Sequence, residues 1–174
     1  MTVVSLSAAR AEAAVWSLLD EVPDPEVPAL SIRDLGVVRD VTLDGDRGVT
    51  LKVTPTYSGC PATAAINLAI RDRLIRAGYE DVTIETVLAP AWTTDWISPE
   101  GRKKLRTYGI APPVGTAADA AAGRAALFGA DPVVACPRCG SEKTAKVSEF
   151  GSTACKAQYR CSSCAEPFEY FKCI

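Results

Sequence analysis

Apolar residues recur at helical spacing near the start of the chain, where Ala11, Ala14, Val15, Leu18 and Leu19 line one face. That pattern predicts a helix over 7–19, capped by Ser5 or Ser7. It breaks at Val22-Pro23-Asp24-Pro25-Glu26-Val27-Pro28, where three prolines fall within six positions. Proline lacks the amide that a helix needs, so this stretch reads as an ordered turn or extended loop. The segments 37–43 and 49–53 are β-rich and flank Asp44-Gly45-Asp46-Arg47-Gly48, which supplies hairpin-turn chemistry. A second helix is expected from Pro61 to about Ala77, with Ala65, Ile66, Ala69, Ile70 and Leu74 as its buried stripe and Gly78 as its stop. A strand over 82–88 follows, placing Val82, Ile84 and Leu88 on one face. Ser98-Pro99 opens a last helix that ends near Tyr108-Gly109.

The order α-β-β-α-β-α contains a β-α-β crossover. It predicts a small α/β domain over 1–111 with a mixed three- to four-stranded sheet. From 112 to 132 the chain turns to Ala, Gly and Pro and reads as a linker with one weak Ala-rich helical stretch. The remainder, 133–174, is too short to fold on an apolar core alone, and a metal would supply the missing stability. Its β-rich pieces, 144–150, 157–160 and 166–172, lay out a zinc-ribbon-like β module.

Composition narrows the chemistry. Hydrophobic residues make up 48% and charged residues 23% of the 174 positions, which describes a globular chain. No apolar run is long enough for a membrane span, and the N-terminus lacks the plan of a signal peptide. Seven cysteines without a disulfide-framework spacing fit a reducing cytoplasm. Histidine is absent, which excludes Ser–His and Cys–His catalysis and a catalytic zinc held by imidazole.

Two C-x-x-C hooks, Cys136-Pro137-Arg138-Cys139 and Cys161-Ser162-Ser163-Cys164, are separated by 21 residues, slightly longer than the usual spacing. Four thiolates so arranged can close a tetrahedral site, and Gly140 after the first hook lets the backbone turn its amides toward sulfur. Zinc is the default occupant, although mononuclear iron and iron–sulfur clusters use the same ligands. Cys155 and Cys173 read as small buried residues rather than ligands, unless a larger cluster recruits them. From Val133 onward six basic residues face four acidic ones, a balance of +2 that is thin for phosphate neutralisation and argues against nucleic acid. Phe168, Tyr170 and Phe171 read as the ribbon's small core. Arg102, Lys103, Lys104 and Arg106 form a basic helical face, either solvated or a docking surface.

Cys60 stands apart. With Pro61 at the first helical position it becomes the N-cap, where free amides and the helix dipole favour thiolate; it reads either as a reactive, ligating sulfur or as a buried cysteine that only caps the helix. Asp24 and Glu26, spaced to project from the proline-rich turn, read either as loop solvation and helix capping or, if the fold brings them to Cys60, as part of a transient metal or cluster site.

The motifs Asp24-Pro-Glu-Val-Pro28, Ile32-Arg-Asp-Leu-Gly-Val-Val38 and Thr54-Pro-Thr-Tyr-Ser-Gly-Cys-Pro61 resemble the metal–sulfur cluster assembly domain family (SufT-like). The segments Phe150-Gly-Ser-Thr-Ala-Cys-Lys-Ala-Gln-Tyr-Arg-Cys161 and Glu166-Pro-Phe-Glu-Tyr-Phe-Lys-Cys173 narrow the resemblance to the D-subunit family of bacterial phenylacetyl-CoA epoxidases, across essentially the whole chain. That resemblance implies a non-catalytic accessory subunit in aerobic phenylacetate degradation. Such a subunit would insert an iron–sulfur cluster, most naturally into the reductase subunit. Neither a carboxylate–histidine di-iron motif nor a glycine-rich flavin loop is present, so the chain is neither oxygenase nor reductase. The family pattern makes Cys60 the transient ligand for a cluster or iron, sets Asp24 and Glu26 beside it, and makes the ribbon at Cys136, Cys139, Cys161 and Cys164 a structural zinc module that docks the client. One thiolate and two carboxylates are an incomplete ligand set, which a homodimer or a client would complete. The alternative is a permanent structural or electron-relay subunit in contact with the oxygenase.

Overall fold

The computed structural model describes residues 6–118 and 132–173. The chain forms two compact units, 1–92 and 93–174. Within the first, α1 (Leu6–Asp20) leads through a long loop to β1 (Val38–Asp44), β2 (Gly48–Val53), α2 (Ala62–Arg76) and β3 (Asp81–Thr86). The sheet order is β1-β2-β3, with β1 antiparallel and β3 parallel to β2. The mixed α/β architecture expected from the periodicity is thus present, with three strands in this sheet.

Cross-strand register sorts this sheet into two faces. Val41 pairs with Leu51 and Leu51 with Ile84, while Leu43 pairs with Val49 and Val49 with Val82. These rows alternate with Thr42–Thr50–Thr83 and Asp40–Lys52–Glu85, which stay polar, and Lys52 Nζ meets Asp40 at 3.1 Å. Side chains alternate across a strand, so the apolar rows share one face and pack with α1 and α2. Val15 and Leu19 of α1 and Ile66, Ile70 and Leu74 of α2 are buried there. The α2 stripe runs Ala62-Ile66-Ile70-Leu74, while Ala65 of the expected stripe is exposed. The third strand stops at Thr86, and Leu88, expected on its inner face, is exposed.

The loop between α1 and β1 belongs to the core rather than to a linker. Val22, Val27, Leu30, Ile32, Leu35 and Val37 are all buried. The buried indole of Trp92 donates to Leu35 O at 2.9 Å and ties the end of the first unit to that loop.

The second unit opens with a short 3-10 turn (Thr94–Trp96) and α3 (Pro99–Tyr108). Ser98 Oγ caps α3 by accepting from Gly101 N at 2.9 Å, and Gly109, at φ 98°, ends it in the left-handed region. A four-stranded sheet follows, ordered β4 (Ile110–Ala111), β7 (Pro167–Phe171), β6 (Lys156–Cys161) and β5 (Thr144–Ser148). The last three are the antiparallel ribbon read from the sequence, while β4 pairs parallel to β7 through Ile110↔Glu169 and Ala111↔Tyr170. Ala111, Val134, Ala157, Tyr159, Phe168 and Tyr170 form one cluster with Cys136 and Cys161. Tyr159 stacks on Phe168 with centroids 5.9 Å apart and meets Tyr170 edge-on at 5.5 Å. Phe171 is buried as well.

Compact units and sequence segments divide at different places. Composition suggests a boundary at 111/112, whereas the units separate at 92/93, because the α3–β4 segment pairs with β7. The Ala-rich stretch of the expected 112–132 linker falls largely on 119–131, outside the described residues, as does Ser5.

Candidate functional site

Two knuckles of the same design build the metal centre. In the first, Cys136 N donates to Ser141 O at 2.9 Å. In the second, Cys161 N donates to Glu166 O at 2.9 Å, again five residues on. Each turn needs a left-handed residue directly after its second cysteine: Gly140 at φ 74° in one and Ala165 at φ 62° in the other. Ser141 Oγ and Ser163 Oγ lie 2.8 Å apart and link the two turns.

The four sulfurs of Cys136, Cys139, Cys161 and Cys164 all lie within 4.8 Å of one another. Cys136 Sγ is 3.8 Å from Cys164 Sγ, and Cys139 Sγ is 3.6 Å from Cys161 Sγ. A tetrahedral metal with bonds of about 2.3 Å to sulfur requires edges of about 3.8 Å, so the cage has the right size. Cys136 and Cys161 are buried and join the aromatic core, while Cys139 and Cys164 are exposed. The backbone amide of Cys164, with that of Ser163, draws the Cys161 thiol down to about 6 against the opposing effect of burial. At Cys164 the amide of Glu166 acts in the same sense, but Cys139, burial, Cys161 and Cys136 outweigh it and push the thiol up to about 12. Four sulfurs this close cannot all ionise unless a cation shares their charge. The donor set therefore fits a divalent metal in a closed, structural site.

Cys155 and Cys173 lie outside this cage. Cys155 is buried with its sulfur 3.0 Å from Thr153 Oγ1, and Cys173 is half-buried with its sulfur 3.3 Å from Thr94 Oγ1.

In the first unit the Cys60 loop hangs between β2 and α2. Thr54 N donates to Val37 O at 2.8 Å, Cys60 N to Tyr57 O at 3.0 Å, and Thr63 N to Cys60 O at 3.2 Å. The N-cap of α2 is Pro61, at φ −67° and ψ −24°, so Cys60 stands one residue before the position expected for it. The reason is that Pro61 itself takes up the turn that starts the helix. Cys60 is half-buried beside the exposed Gly59, where an added Cβ would meet nothing within 4 Å.

Asp24 does not project from its loop. It is buried, and its Oδ1 accepts from Glu26 N at 2.9 Å and Val27 N at 2.7 Å. Asp34 performs the same task ten residues on: its Oδ2 accepts from Ser31 N and Ser31 Oγ, while Asp34 N donates to Ser31 Oγ at 3.0 Å. Both carboxylates brace backbone, and Asp24 sets the position of the half-buried Glu26. Among the described residues, no cluster of three ligand atoms other than the four cysteines is close enough for a metal, so Cys60, Asp24 and Glu26 do not form one. Sequence reasoning missed Thr54, a buried residue whose Oγ1 has no hydrogen-bond partner at the root of the Cys60 loop. Its place opening the Thr-Pro run was the available signal.

Comparison with known proteins follows the same two parts. Residues 12–86 match the iron-sulfur cluster assembly protein family, and residues 120–172 match the PaaD zinc beta ribbon domain. The chain is 52% identical over 160 residues to the D subunit of the putative 1,2-phenylacetyl-CoA epoxidase of Escherichia coli K12, covering 92% of each protein. An Fe-S protein maturation auxiliary factor of Porphyromonas gingivalis is 31% identical over 97 residues, 55% of this chain and 91% of that one. A solved domain of unknown function DUF59 from Bacillus anthracis superimposes with TM-score 0.54 at 26% identity, covering 57% of this chain and 95% of that one.

Proposed function

Because the chain belongs to the family of the phenylacetyl-CoA epoxidase D subunit, we propose that it is a non-catalytic maturation factor of that oxygenase system, handing an iron–sulfur cluster to the reductase subunit. The division of its metal chemistry carries this reading. Four sulfurs close on one another in the second unit, whereas Cys60 sits in the first and, among the described residues, joins no cluster of metal ligands. A closed site retains its ion, while a single accessible cysteine sulfur can hold a cluster and release it.

The ribbon cysteines hold zinc, which neutralises the thiolates and cross-links the two knuckles. Its role is structural, because all four positions are filled by protein. Cys60 supplies one sulfur to the cargo cluster. Asp24 fixes the loop that presents Glu26, and the remaining ligands come from the client or from a second copy of this chain. The match to the iron-sulfur cluster assembly family spans residues 12–86 and so includes Cys60, which supports assigning the transfer chemistry to that unit. The reducing environment such thiols require suits the cytoplasm, and no helix among the described residues is long and apolar enough to cross a membrane.

The test is transfer itself. Cluster-loaded protein is mixed with the apo form of the reductase subunit, and the visible absorbance of the reductase is followed. The wild type should fill the reductase and Cys60→Ser should not, with zinc content equal in both. Equal filling by the two proteins would overturn the reading.

A further inference from the structure

Beside the first knuckle, the second unit carries a cleft of about 570 Å³ that the metal centre and its ligands leave unused. Its walls come from three pieces of chain: Arg106, Thr107, Tyr108 and Gly109 at the end of α3, Pro137 and Arg138 inside the first hook, and Glu166 with Phe168 at the second. The basic face of α3 read from the sequence is not one uniform surface. Arg102 is held inward by donating to Pro113 O and Thr94 O, each at 2.9 Å, and Lys103 pairs with Glu100 at 3.8 Å. Arg106 is exposed and, among the described residues, has no carboxylate partner. It shares the cleft with Arg138, which sits between two cysteines of the metal cage.

We infer that this cleft is a recognition site for an acidic peptide segment of a partner protein, with Arg106 and Arg138 taking its carboxylates. Two arginines from separate elements line one space, and a guanidinium fork matches a planar carboxylate in two-point contact. The cleft already accommodates one carboxylate: Glu166 Oε1 lies 3.3 Å from Arg138 Nε, with both side chains open to solvent. An exposed pair of this kind is weak and exchangeable, so Glu166 acts as an internal stand-in that an incoming acidic side chain displaces. The volume suits several residues of peptide rather than a single oxyanion, and the mainly polar walls lack the apolar lining of a small-molecule site. Arginine clusters reading acidic motifs are an established mode of peptide recognition. The exposed ring of Tyr108 on the rim supplies apolar contact at little entropic cost. This inference rests on the reading of the ribbon as a docking module and names the partner chemistry of that module.

The test is fluorescence anisotropy of fluorescein-labelled hexaglutamate with the full-length zinc-loaded protein. Arg106→Gln and Arg138→Gln should each weaken binding about tenfold, as expected for loss of one charged hydrogen-bonding group. Arg138→Lys, which keeps the charge but loses the fork, should weaken it several-fold. Lys103→Gln and Lys104→Gln should leave affinity unchanged, and Glu166→Gln should tighten it by freeing Arg138. Zinc content identical to wild type certifies the fold of each variant. Cys60→Ser should bind the peptide as wild type does, which separates failure of the cleft from failure of cluster transfer. Equal weakening by the Lys103 and Lys104 variants, weaker binding by Glu166→Gln, or displacement by equimolar inorganic phosphate would each overturn the inference.

Discussion

Lys156 is the most deeply buried cation among the described residues, its side chain only 3% exposed, and removing it should destabilise the second unit sharply. Its ammonium lies 2.9 Å from Glu169 Oε2 on the neighbouring strand, and Glu169 Oε1 also accepts from Ser152 N. The loop folds close over this pair, since a Cβ at Gly151 would come within 2.7 Å of the carboxylate. Replacing Lys156 by Met preserves the aliphatic bulk and leaves Glu169 without its cation. Loss of one partner of a buried pair costs about 3–5 kcal/mol. Glu169 retains the Ser152 amide and 21% exposure, which places the expected cost at the lower end, about 3 kcal/mol. Replacing both residues, as Lys156→Met with Glu169→Leu, should recover most of that loss, because neither desolvated charge then remains. A whole-chain melt is unsuitable, because two compact units need not unfold together. Zinc release to a colorimetric chelator across a urea series reports the second unit alone. A single variant within about 1 kcal/mol of wild type, or a double variant worse than the single, would refute the assignment of this pair as a buried, coupled one.

The remaining predictions concern single positions. Ala165→Gly should stabilise the second knuckle by about 0.5–1 kcal/mol, because it relieves a left-handed alanine, whereas Gly140→Ala should cost about 1 kcal/mol despite open space for its methyl; chelator competition for zinc reads both. Thr54→Val should leave the first unit as stable or up to about 1 kcal/mol more stable, since the buried hydroxyl it removes has no partner; tryptophan-monitored denaturation checks this. Glu169 has its pKa lowered: burial opposes this, but the Ser152 amide and Lys156 outweigh it. Its contribution is therefore present above the unfolded-state value of 4.5 and lost as pH falls through the lower folded value, so stability relative to Glu169→Gln should be flat from pH 8 to 5 and shrink only below 4.5.

The four-cysteine cage is legible in the sequence because its chemistry is local: two residues between cysteines fix a hook whatever surrounds it. The hairpin at Gly45 and the ribbon strands follow from alternation and turn residues in the same way. Other features depend on distant partners. The two-residue strand Ile110–Ala111 has no periodicity of its own and exists only because β7 lies beside it. Ala65 and Ala62 look equivalent in sequence, but alanine is too small to declare its face, and the helix buries Ala62. Leu88 is apolar yet lies beyond the end of β3 at Thr86, where strand pairing no longer dictates its side. Asp24 reads from the sequence as a projecting ligand, although an aspartate whose carboxylate accepts amides two and three residues on is a known turn signature. The burial that turns it inward comes from the core contacts of Val22, Val27 and Leu30, which no local pattern announces.

The central claim is that one chain keeps a structural metal in its ribbon and handles a cluster at Cys60. Metal and acid-labile sulfide analysis of anaerobically purified wild type and Cys60→Ser tests it most directly. The account predicts stoichiometric zinc in both proteins, with iron and sulfide in the wild type alone. Iron and sulfide retained undiminished by Cys60→Ser, or absent from both proteins, would contradict it.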